Sequence, residues 1–291
     1  MEHSTPPAFA ASAGRKPKDE EIDVFGLTHT GKVRKVNQDH FLISFLRKRM
    51  DLRLTSLPAP VHLPLDSERM ATLMMVADGV GGGPGGEQAS RHALGFVTQF
   101  LLESVQCYYT SDARGEGFLN ALQDAATRAH QSVLQKGEED PGLKGLATTL
   151  TLLLIVWPWA YLVQLGDSRY YVYREDDLVQ VTRDQTLAQA LVDEGVLTRA
   201  EMPHSPLAHV LSSALGGPQA APVVARVGID WPMVHLLCSD GLTKHVPDER
   251  IRERLASMTS SRQVCEALLQ DALDGGGRDN ITIVVGRAVP A

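Results

Sequence analysis

Apolar residues recur along the chain with two different periods. Short runs, in which apolar residues alternate with polar ones or follow each other directly, predict β-strands. Longer stretches with an apolar residue every three or four positions predict amphipathic helices, each of which covers a sheet with one face. The predicted strands are residues 22–27, 33–43, 74–77, 148–156, 159–165, 170–173, 178–182, 223–227, 234–238 and 281–287, and the predicted helices are residues 87–105, 117–135, 247–257 and 261–273.

The order of these elements indicates the fold class. Strands and helices come in blocks instead of alternating one for one, and the short strands between residues 148 and 182 are joined by tight turns. Such a series is typical of an antiparallel meander. The pattern therefore predicts an α+β fold built on antiparallel sheets, not a doubly wound parallel sheet. Residues 183–217 are predicted to be helix and loop.

Two stretches fall outside this pattern. Residues 1–20 are rich in Pro, Ala, Ser, Lys and Glu, so we predict a disordered tail before a domain of residues 21–291. Residues 44–70 combine a basic cluster with three prolines, which disfavour both a helix and a central strand. This insertion is either a long hairpin connection on the surface or a loop that docks a partner, and the sequence does not decide between them.

Composition and charge exclude several classes of function. The chain has 291 residues with 43% hydrophobic content, which is ordinary for a soluble globular protein, and its net charge of −7 offers no surface for nucleic acid. No apolar stretch reaches the ~18 residues of a membrane span, and no secretory signal is visible. The three cysteines, Cys107, Cys238 and Cys265, fit neither a disulfide framework nor a zinc motif. We expect reduced, mostly buried thiols in a cytoplasmic protein.

Four aspartates, far apart in the sequence, carry the candidate chemistry: Asp39, Asp78, Asp240 and Asp279. Three of them directly follow or precede a predicted strand. Carboxylates brought within about 4 Å repel each other strongly unless a cation or a proton neutralises them. Hard oxygen ligands without a nearby set of His or Cys favour Mg²⁺ or Mn²⁺ over Zn²⁺. The alternative is that each Asp only caps a turn or a helix.

Two such ions would make a hydrolytic site. Held about 3.5–4 Å apart, they can share a water molecule and lower its pKa, which creates a nucleophile for in-line displacement at phosphorus. The phosphate also needs a fixed positive fork, and Arg34 is the candidate because a guanidinium binds two phosphate oxygens at once. Ser239 is not predicted to be a nucleophile, because no His–Asp relay is visible.

Seven short motifs, taken in their order along residues 22–287, resemble the PPM family of metal-dependent, type 2C protein serine/threonine phosphatases, and its bacterial branch most closely. Each motif alone is weak, but seven in this order are highly specific. The resemblance implies an αββα sandwich of two antiparallel sheets flanked by helices. It also implies hydrolysis of phosphoserine and phosphothreonine by a water that bridges two Mn²⁺ or Mg²⁺ ions. The motifs are G-x-V-R-x-x-N-Q-D, V-A-D-G-V-G-G, A-T-T-L, G-D-S-R, S-S-A-L-G, C-S-D-G-L-T and G-G-x-D-N-I-T.

The same resemblance implies a role for each aspartate. Asp78 would bridge the two metal ions, and the backbone carbonyl of Gly79 would complete the coordination of one of them. Asp240 and Asp279 would hold the first ion. Asp39 would lie behind the ions or bind one of them through water. These four carboxylates are therefore expected to play unequal parts.

Further residues take supporting roles by resemblance. Arg34 would clamp the substrate phosphate, and Asp167 of G-D-S-R would help to bind a third, weaker ion. Asn280 would orient Asp279 or a bound water, and Gln38, where many relatives have Glu, would order a metal-bound water without the charge. Lys244 stands where many bacterial relatives have an Asp that shares the third ion, and a cation there disfavours that ion.

Three functions stay open at this point. The first is an active protein phosphatase, expected to be monomeric in keeping with its relatives, that reverses a cognate serine/threonine kinase. The second is a catalytically silent scaffold or sensor with the same fold, although such relatives usually lose the metal aspartates that this chain keeps. The third is a phosphatase of the same mechanism that acts on small phosphoesters. Residues 183–217 contain the segment that matches the flap beside the active site, which is expected to influence substrate choice.

Overall fold

Eleven strands form two antiparallel sheets in the computed structural model, which describes residue 9 and residues 14–48, 68–81, 84–103, 116–140 and 145–290. One sheet has the strand order β1-β11-β10-β7-β8, and the other has the order β2-β3-β5-β6-β9 with β4 added beside β3. The strands are β1 Ile22–His29, β2 Asp39–Lys48, β3 Glu68–Val80, β4 Ala147–Thr148, β5 Leu150–Val156, β6 Trp159–Leu165, β7 Arg169–Arg174, β8 Asp177–Gln180, β9 Val223–Gly228, β10 Val234–Cys238 and β11 Ile281–Ala288.

Helices cover the outer face of each sheet. The first two long helices pack on the six-stranded sheet, and the last two pack on the five-stranded sheet. None of the described helices is long and apolar enough to cross a bilayer. The helices are α1 Pro84–Glu103, α2 Glu116–Glu139, α3 Leu187–Asp193, α4 Asp240–Thr243, α5 Asp248–Ala256 and α6 Ser261–Asp274, and single 3₁₀ turns lie at Asp19–Glu21 and Met202–His204.

The core consists of three apolar layers, one between the sheets and one under each pair of helices. Strand β3 shows how the sequence divides its side chains between two of them. Leu73 and Met75 pack under α1 and α2, whereas Met74 and Val76 face the other sheet. This alternation is the period of two that a strand buried on both faces must have. The predicted αββα sandwich is confirmed.

The same alternation places two of the aspartates. Asp78 follows Met74 and Val76 in step, so its side chain belongs to the face that looks at the other sheet. Strand β2 pairs with β3 in a register that sets Asp39 directly opposite Asp78. Both carboxylates therefore enter the layer between the sheets at one end of the sandwich.

Some predicted boundaries were wrong. Residues 33–38 form a loop and not a strand, because the Asn280 side chain instead of a neighbouring strand binds the carbonyl of Val36. Strand β3 does not end before Asp78 but continues to Val80, where it pairs with β4. The predicted insertion at 44–70 is shorter, since β2 reaches Lys48 and β3 starts at Glu68. The rest of that insertion, with its two proposed roles, lies outside the described residues.

The end of the predicted tail packs on the domain. Trp157 donates through Nε1 to the carbonyl of Gly14 at 3.2 Å, and Trp231 donates to the carbonyl of Arg15 at 2.8 Å. The Arg15 guanidinium forms a bidentate ion pair with Glu21. Residues 14–20 therefore differ from the predicted disorder, because half-buried indole groups and the buried carboxylate of Glu21 hold them. Cys238 and Cys265 are free, buried thiols as predicted, and Cys107 lies outside the described residues.

Candidate active site

Five carboxylates gather at the end of the sandwich where β3 and β10 finish and β11 begins. A cavity of about 300 Å³ opens there between the two sheets. Four of the five aspartates line it, and Asp39 lies buried behind them. The predicted site residues that line this cavity are Arg34, Gln38, Asp78, Gly79, Asp167, Asp240, Asp279 and Asn280, so Asp39 is the one predicted site residue that does not line it.

Asp39 is the most deeply buried carboxylate of the group, with 2% of its surface exposed. Ser239 donates through Oγ to its Oδ2 at 2.6 Å, and the Ser239 hydroxyl is itself fixed by the backbone N–H of Thr282 at 2.9 Å. Its other oxygen, Oδ1, has no hydrogen-bond partner among the described residues. Burial raises the pKa of Asp39 to about 6, although the Ser239 hydrogen bond acts in the opposite direction.

Asp78 is held by its backbone. Its N–H donates to Oγ1 of Thr149 at 2.9 Å, and its carbonyl accepts a hydrogen bond from Oγ1 of Thr148 at 2.8 Å. These threonines lock the strand and leave the carboxylate free to face the cavity. Burial raises the pKa of Asp78 well above its usual range, and the neighbouring carboxylates Asp39 and Asp240 raise it further.

Asp167 stands on the opposite wall, in the turn between β6 and β7. It is 9% exposed. Burial raises its pKa to about 8, with additional contributions from the negative charges of Asp240 and Asp184. Three carboxyl groups of this site therefore have a raised pKa, which means that their negative charges are disfavoured unless a cation neutralises them.

Asp240 and Asp279 come from two turns that pack tightly together. Asp240 begins the short helix α4 directly after β10. The next residue must be glycine, because a Cβ on Gly241 would lie 1.9 Å from the carbonyl oxygen of Asn280. Gly79 meets the same kind of constraint, since a Cβ there would lie 2.2 Å from the carbonyl oxygen of Gly86. The glycines in these motifs thus permit the close approach that draws the carboxylates together.

Two basic side chains already neutralise part of this cluster. Arg34 forms a bidentate ion pair with Asp279, with Nε 2.8 Å from Oδ1 and Nη2 3.0 Å from Oδ2. Lys244 places Nζ 2.5 Å from Oδ2 of Asp240 and 3.1 Å from Oδ2 of Asp279. Burial alone would raise the pKa of Asp279, but Arg34 and Lys244 outweigh it and hold that pKa below the usual range.

The contacts of Lys244 were missed by the sequence reasoning, which considered only its effect on a third ion. One signal was present in the sequence. Lys244 follows Asp240 by four residues, and opposite charges at that spacing on a helical turn lie on the same face. The second contact, with Asp279, depends on the packing of two distant turns and has no local signal.

Asn280 works as a latch for the loop that carries Arg34. Its side-chain Nδ2 donates to the carbonyls of Thr30 and Val36 at 2.9 and 3.0 Å, and its Oδ1 accepts from the backbone N–H of Gln38 at 2.9 Å. Its contact with Asp279 runs through the backbone, whose N–H donates to Oδ1 at 3.0 Å. Asn280 therefore positions both the arginine loop and the adjacent carboxylate.

A second cavity, of about 600 Å³, continues from the first toward the segment at 183–217. Arg169 anchors the base of that segment by a bidentate ion pair with Asp184 at 2.7–3.2 Å. Gln185 adds two hydrogen bonds with the backbone of Gly166, at 2.8 and 3.0 Å. His209 and Arg278 also line this cavity. The sequence reasoning did not single out either residue, since neither lies at a distinctive position in a motif.

The donor set fits a hard divalent cation. All five side chains offer carboxylate oxygen, and the buried Oδ1 of Asp39 lacks a partner within the described part of the chain. No three acidic, His or Cys side chains of the described residues are arranged closely enough to define a metal position by themselves. Lys244 contacts both Asp240 and Asp279, and Arg34 pairs with Asp279, so these two basic groups occupy carboxylate oxygens that Mg²⁺ or Mn²⁺ would need.

The fold and this constellation of carboxylates define a metal-dependent hydrolase class, and the family follows from sequence comparison. A family profile described as Protein phosphatase 2C matches residues 65–274. The chain belongs to the protein phosphatase 2C family. The resemblance to PPM phosphatases drawn from the motifs is confirmed.

Named relatives support this assignment. The serine/threonine protein phosphatase PstP of Mycobacterium tuberculosis is 38% identical over 224 residues, which are 75% of this chain and 41% of that protein, so the match spans less than half of PstP. The serine/threonine phosphatase stp of Listeria innocua is 28% identical over 220 residues, 73% of this chain and 83% of that protein. A crystal structure of the PstP catalytic domain in complex with two manganese ions has a TM-score of 0.70 and 30% identity, covering 92% of this chain and 99% of that one.

Proposed function

We propose that the protein is a metal-dependent phosphatase that hydrolyses phosphoserine and phosphothreonine in proteins. The observation that carries this proposal is the convergence of four carboxylates beside Arg34 in one cavity, with the buried Asp39 behind them. Such a cluster is unfavourable unless cations neutralise it, and Arg34 adds a group that binds phosphate oxygens. The solved relative with two manganese ions supports the same cofactor for this chain.

The positions of the aspartates support the role that the family resemblance implies for each. Asp78 lines the cavity and would contact both ions, and the carbonyl of Gly79 would complete the coordination of one of them. Asp240 and Asp279, which share one ammonium group, would hold one ion between them. Asp39 would support the other ion from behind with its unpartnered Oδ1. When bound, the ions supply charge neutralisation and the activation of water for displacement at phosphorus.

Arg34 would bind the phosphoryl group. Its side chain is 46% exposed at the rim of the cavity, and its bidentate pairing with Asp279 is of the kind that a phosphate can replace. Once Asp279 is engaged by a cation, the fork is free to turn toward the cavity. The Asn280 latch keeps the loop of Arg34 in reach of that position.

The shape of the site favours a protein substrate. The second cavity extends the site by about 600 Å³ and leaves room for residues on either side of a phosphorylated side chain. We further propose that the substrates are phosphoproteins of a cognate serine/threonine kinase and that the enzyme acts in the cytoplasm. The two free, buried thiols support a reducing compartment. The monomeric state rests on the family resemblance alone.

Turnover of p-nitrophenyl phosphate and of phosphopeptides tests the proposal. With Mn²⁺ present, both substrates should be hydrolysed, and EDTA should stop the reaction. Binding of Mn²⁺ without any turnover would favour the silent scaffold. Turnover of small phosphoesters with no activity on a panel of phosphoserine and phosphothreonine peptides would favour the third function.

Replacement of Arg34 by alanine tests the phosphate clamp. Because Arg34 contacts the phosphoryl group and not the attacking water, R34A should raise the KM for a phosphopeptide by about tenfold with a smaller change in kcat. R252A is the matched control, since Arg252 pairs with Glu249 on the exposed face of α5. An R34A enzyme with the KM of the wild type would contradict this role for Arg34.

A further inference from the structure

Lys244 is tied to the candidate site by its backbone. It directly follows helix α4, and its N–H donates to the carbonyl of Asp240 at 2.8 Å. Because residues four apart in a helical turn share a face, the lysine side chain extends back over Asp240. Only the four-carbon side chain can move, so its ammonium stays within reach of the site.

The ammonium occupies oxygens that a metal ion would need. Nζ lies 2.5 Å from Oδ2 of Asp240 and 3.1 Å from Oδ2 of Asp279, and the lysine side chain is 26% exposed. Burial would lower the pKa of Lys244, but the two carboxylates outweigh it and hold that pKa above its usual value. The side chain is therefore a full positive charge at neutral pH, and an ion that binds both carboxylates must displace it.

We propose that Lys244 is a resident cation that competes with the metal for Asp240 and Asp279 and, once displaced, binds the phosphoryl group of the substrate beside Arg34. This inference rests on the proposed function. It makes Lys244 a substrate-positioning residue whose second task is to lower the affinity of the first metal site. Lys244 then couples metal binding to phosphate binding, because its ammonium is available to the phosphoryl group only after the metal has displaced it.

The surroundings of Lys244 favour this destination for the displaced ammonium. The residue lines both cavities, and the larger one also contains Asp167, His209 and Arg278. With two divalent ions bound, the five aspartates leave one net negative charge. Arg34 and Lys244 then give the site one net positive charge, which attracts a phosphate dianion. Without Lys244 the same site is neutral.

Calorimetric titration with Mn²⁺ tests the competition. K244M keeps the length of the side chain and removes its charge, so it should bind Mn²⁺ about five- to tenfold more tightly than the wild type. K244R keeps the charge and should stay close to the wild type. R278M is the matched control: Arg278 lines the same cavity, carries the same charge and makes no ion pair that touches these carboxylates, so its effect should stay below about twofold.

Binding of inorganic phosphate to the Mn²⁺-saturated protein tests whether the displaced Lys244 contacts the phosphoryl group. K244M should weaken phosphate binding by about tenfold, K244R should restore most of it, and thermal unfolding in EDTA checks that each variant is folded. Equal Mn²⁺ affinity in K244M and the wild type would overturn the competition, and equal phosphate affinity at saturating Mn²⁺ would overturn the phosphate contact. Failure of every variant to bind Mn²⁺ would overturn the proposed function together with this inference.

Discussion

Buried charges are paired differently at the two ends of the layer between the sheets. Strand β3 carries Arg69 near one end and Asp78 near the other, and β11 begins two residues after Asp279 and carries Arg287 near its far end. At the Arg69 end, the residues of the N-terminal segment close the sandwich over a cavity of only about 50 Å³. At the Asp78 end, the sandwich stays open and its carboxylates outnumber its cations.

The buried charges at the two ends differ in whether they form an ion pair. Arg69 is 6% exposed, donates through Nη2 to the carbonyl of Pro17 at 2.5 Å, and places Nη1 3.0 Å from Asp19 without an aligned hydrogen bond. Asp39 is buried as deeply, yet it forms no ion pair with a basic side chain of the described residues, and one of its oxygens has no hydrogen-bond partner there. Buried charge without a partner destabilises a fold. The unpaired charge at the Asp78 end therefore lowers the stability of the fold at a place that can bind a cation, whereas the buried charge at the Arg69 end is paired.

Replacement of Asp240 by asparagine should have the largest effect. D240N keeps the shape of the side chain and removes one charge from the expected metal site, so turnover of p-nitrophenyl phosphate with Mn²⁺ should fall by at least about a hundredfold. The melting temperature in EDTA should change little, because the lost carboxylate also relieves repulsion. D274N, an exposed change at the end of α6, is the control. Activity of D240N close to that of the wild type would remove Asp240 from the site.

The second largest effect is expected in the pH dependence of stability, which should come from the carboxylates at the Asp78 end. Burial raises the pKa of Asp39 to about 6 and that of Asp167 to about 8, from an ordinary value of 3.8. Between about pH 4 and pH 8 the folded chain therefore binds more protons than the unfolded chain. The free energy of unfolding of the metal-free protein should accordingly fall as pH rises through this range. Saturating Mn²⁺ needs ionised carboxylates and should remove this trend.

Urea unfolding at several pH values, in EDTA and in Mn²⁺, measures this difference. D167N should make the trend in EDTA shallower, because it removes one of the groups that titrate in that window. The same pH trend with and without Mn²⁺ would show that these carboxyls do not serve a cation.

The elements that the sequence predicted well are those with local signals. Strands 159–165 and 234–238 have the predicted bounds, because mostly apolar runs end at a Gly or Ser-Asp turn. Motif order led to the aspartates themselves. Their geometry could not be read in the same way, since the pairing of Asp39 with Asp78 depends on a register between strands whose connection has no simple pattern.

The loop at 33–38, which was predicted to be part of a strand, shows what limits prediction from the hydrophobic pattern. Val33 and Val36 suggested a buried strand, but both are exposed, at 65% and 49%. The loop takes its shape from the side chain of Asn280, which is more than 240 residues away in the sequence. A polar group that replaces a strand partner leaves no trace in the hydrophobic pattern. The same holds for the contact of Lys244 with Asp279.

Replacement of Arg69 by methionine should have the smallest effect on activity and tests the Arg69 end directly. R69M keeps the apolar stem but loses the hydrogen bond to Pro17 and the ion pair with Asp19 in a site where the side chain is 5% exposed. We expect the free energy of unfolding to fall by roughly 1–3 kcal/mol, with less than about a twofold change in kcat/KM.

Arg47 supplies the matched control for this change. It also pairs with Asp19, at 2.5 Å, and also stands near the ring of Phe45, but its side chain is 35% exposed. R47M should therefore lower the free energy of unfolding by no more than about 0.5 kcal/mol, because solvent screens the pair. Equal losses in R69M and R47M would mean that burial does not strengthen the charges at this end. A loss of activity in R69M would show that the two ends are coupled through β3 and are not independent.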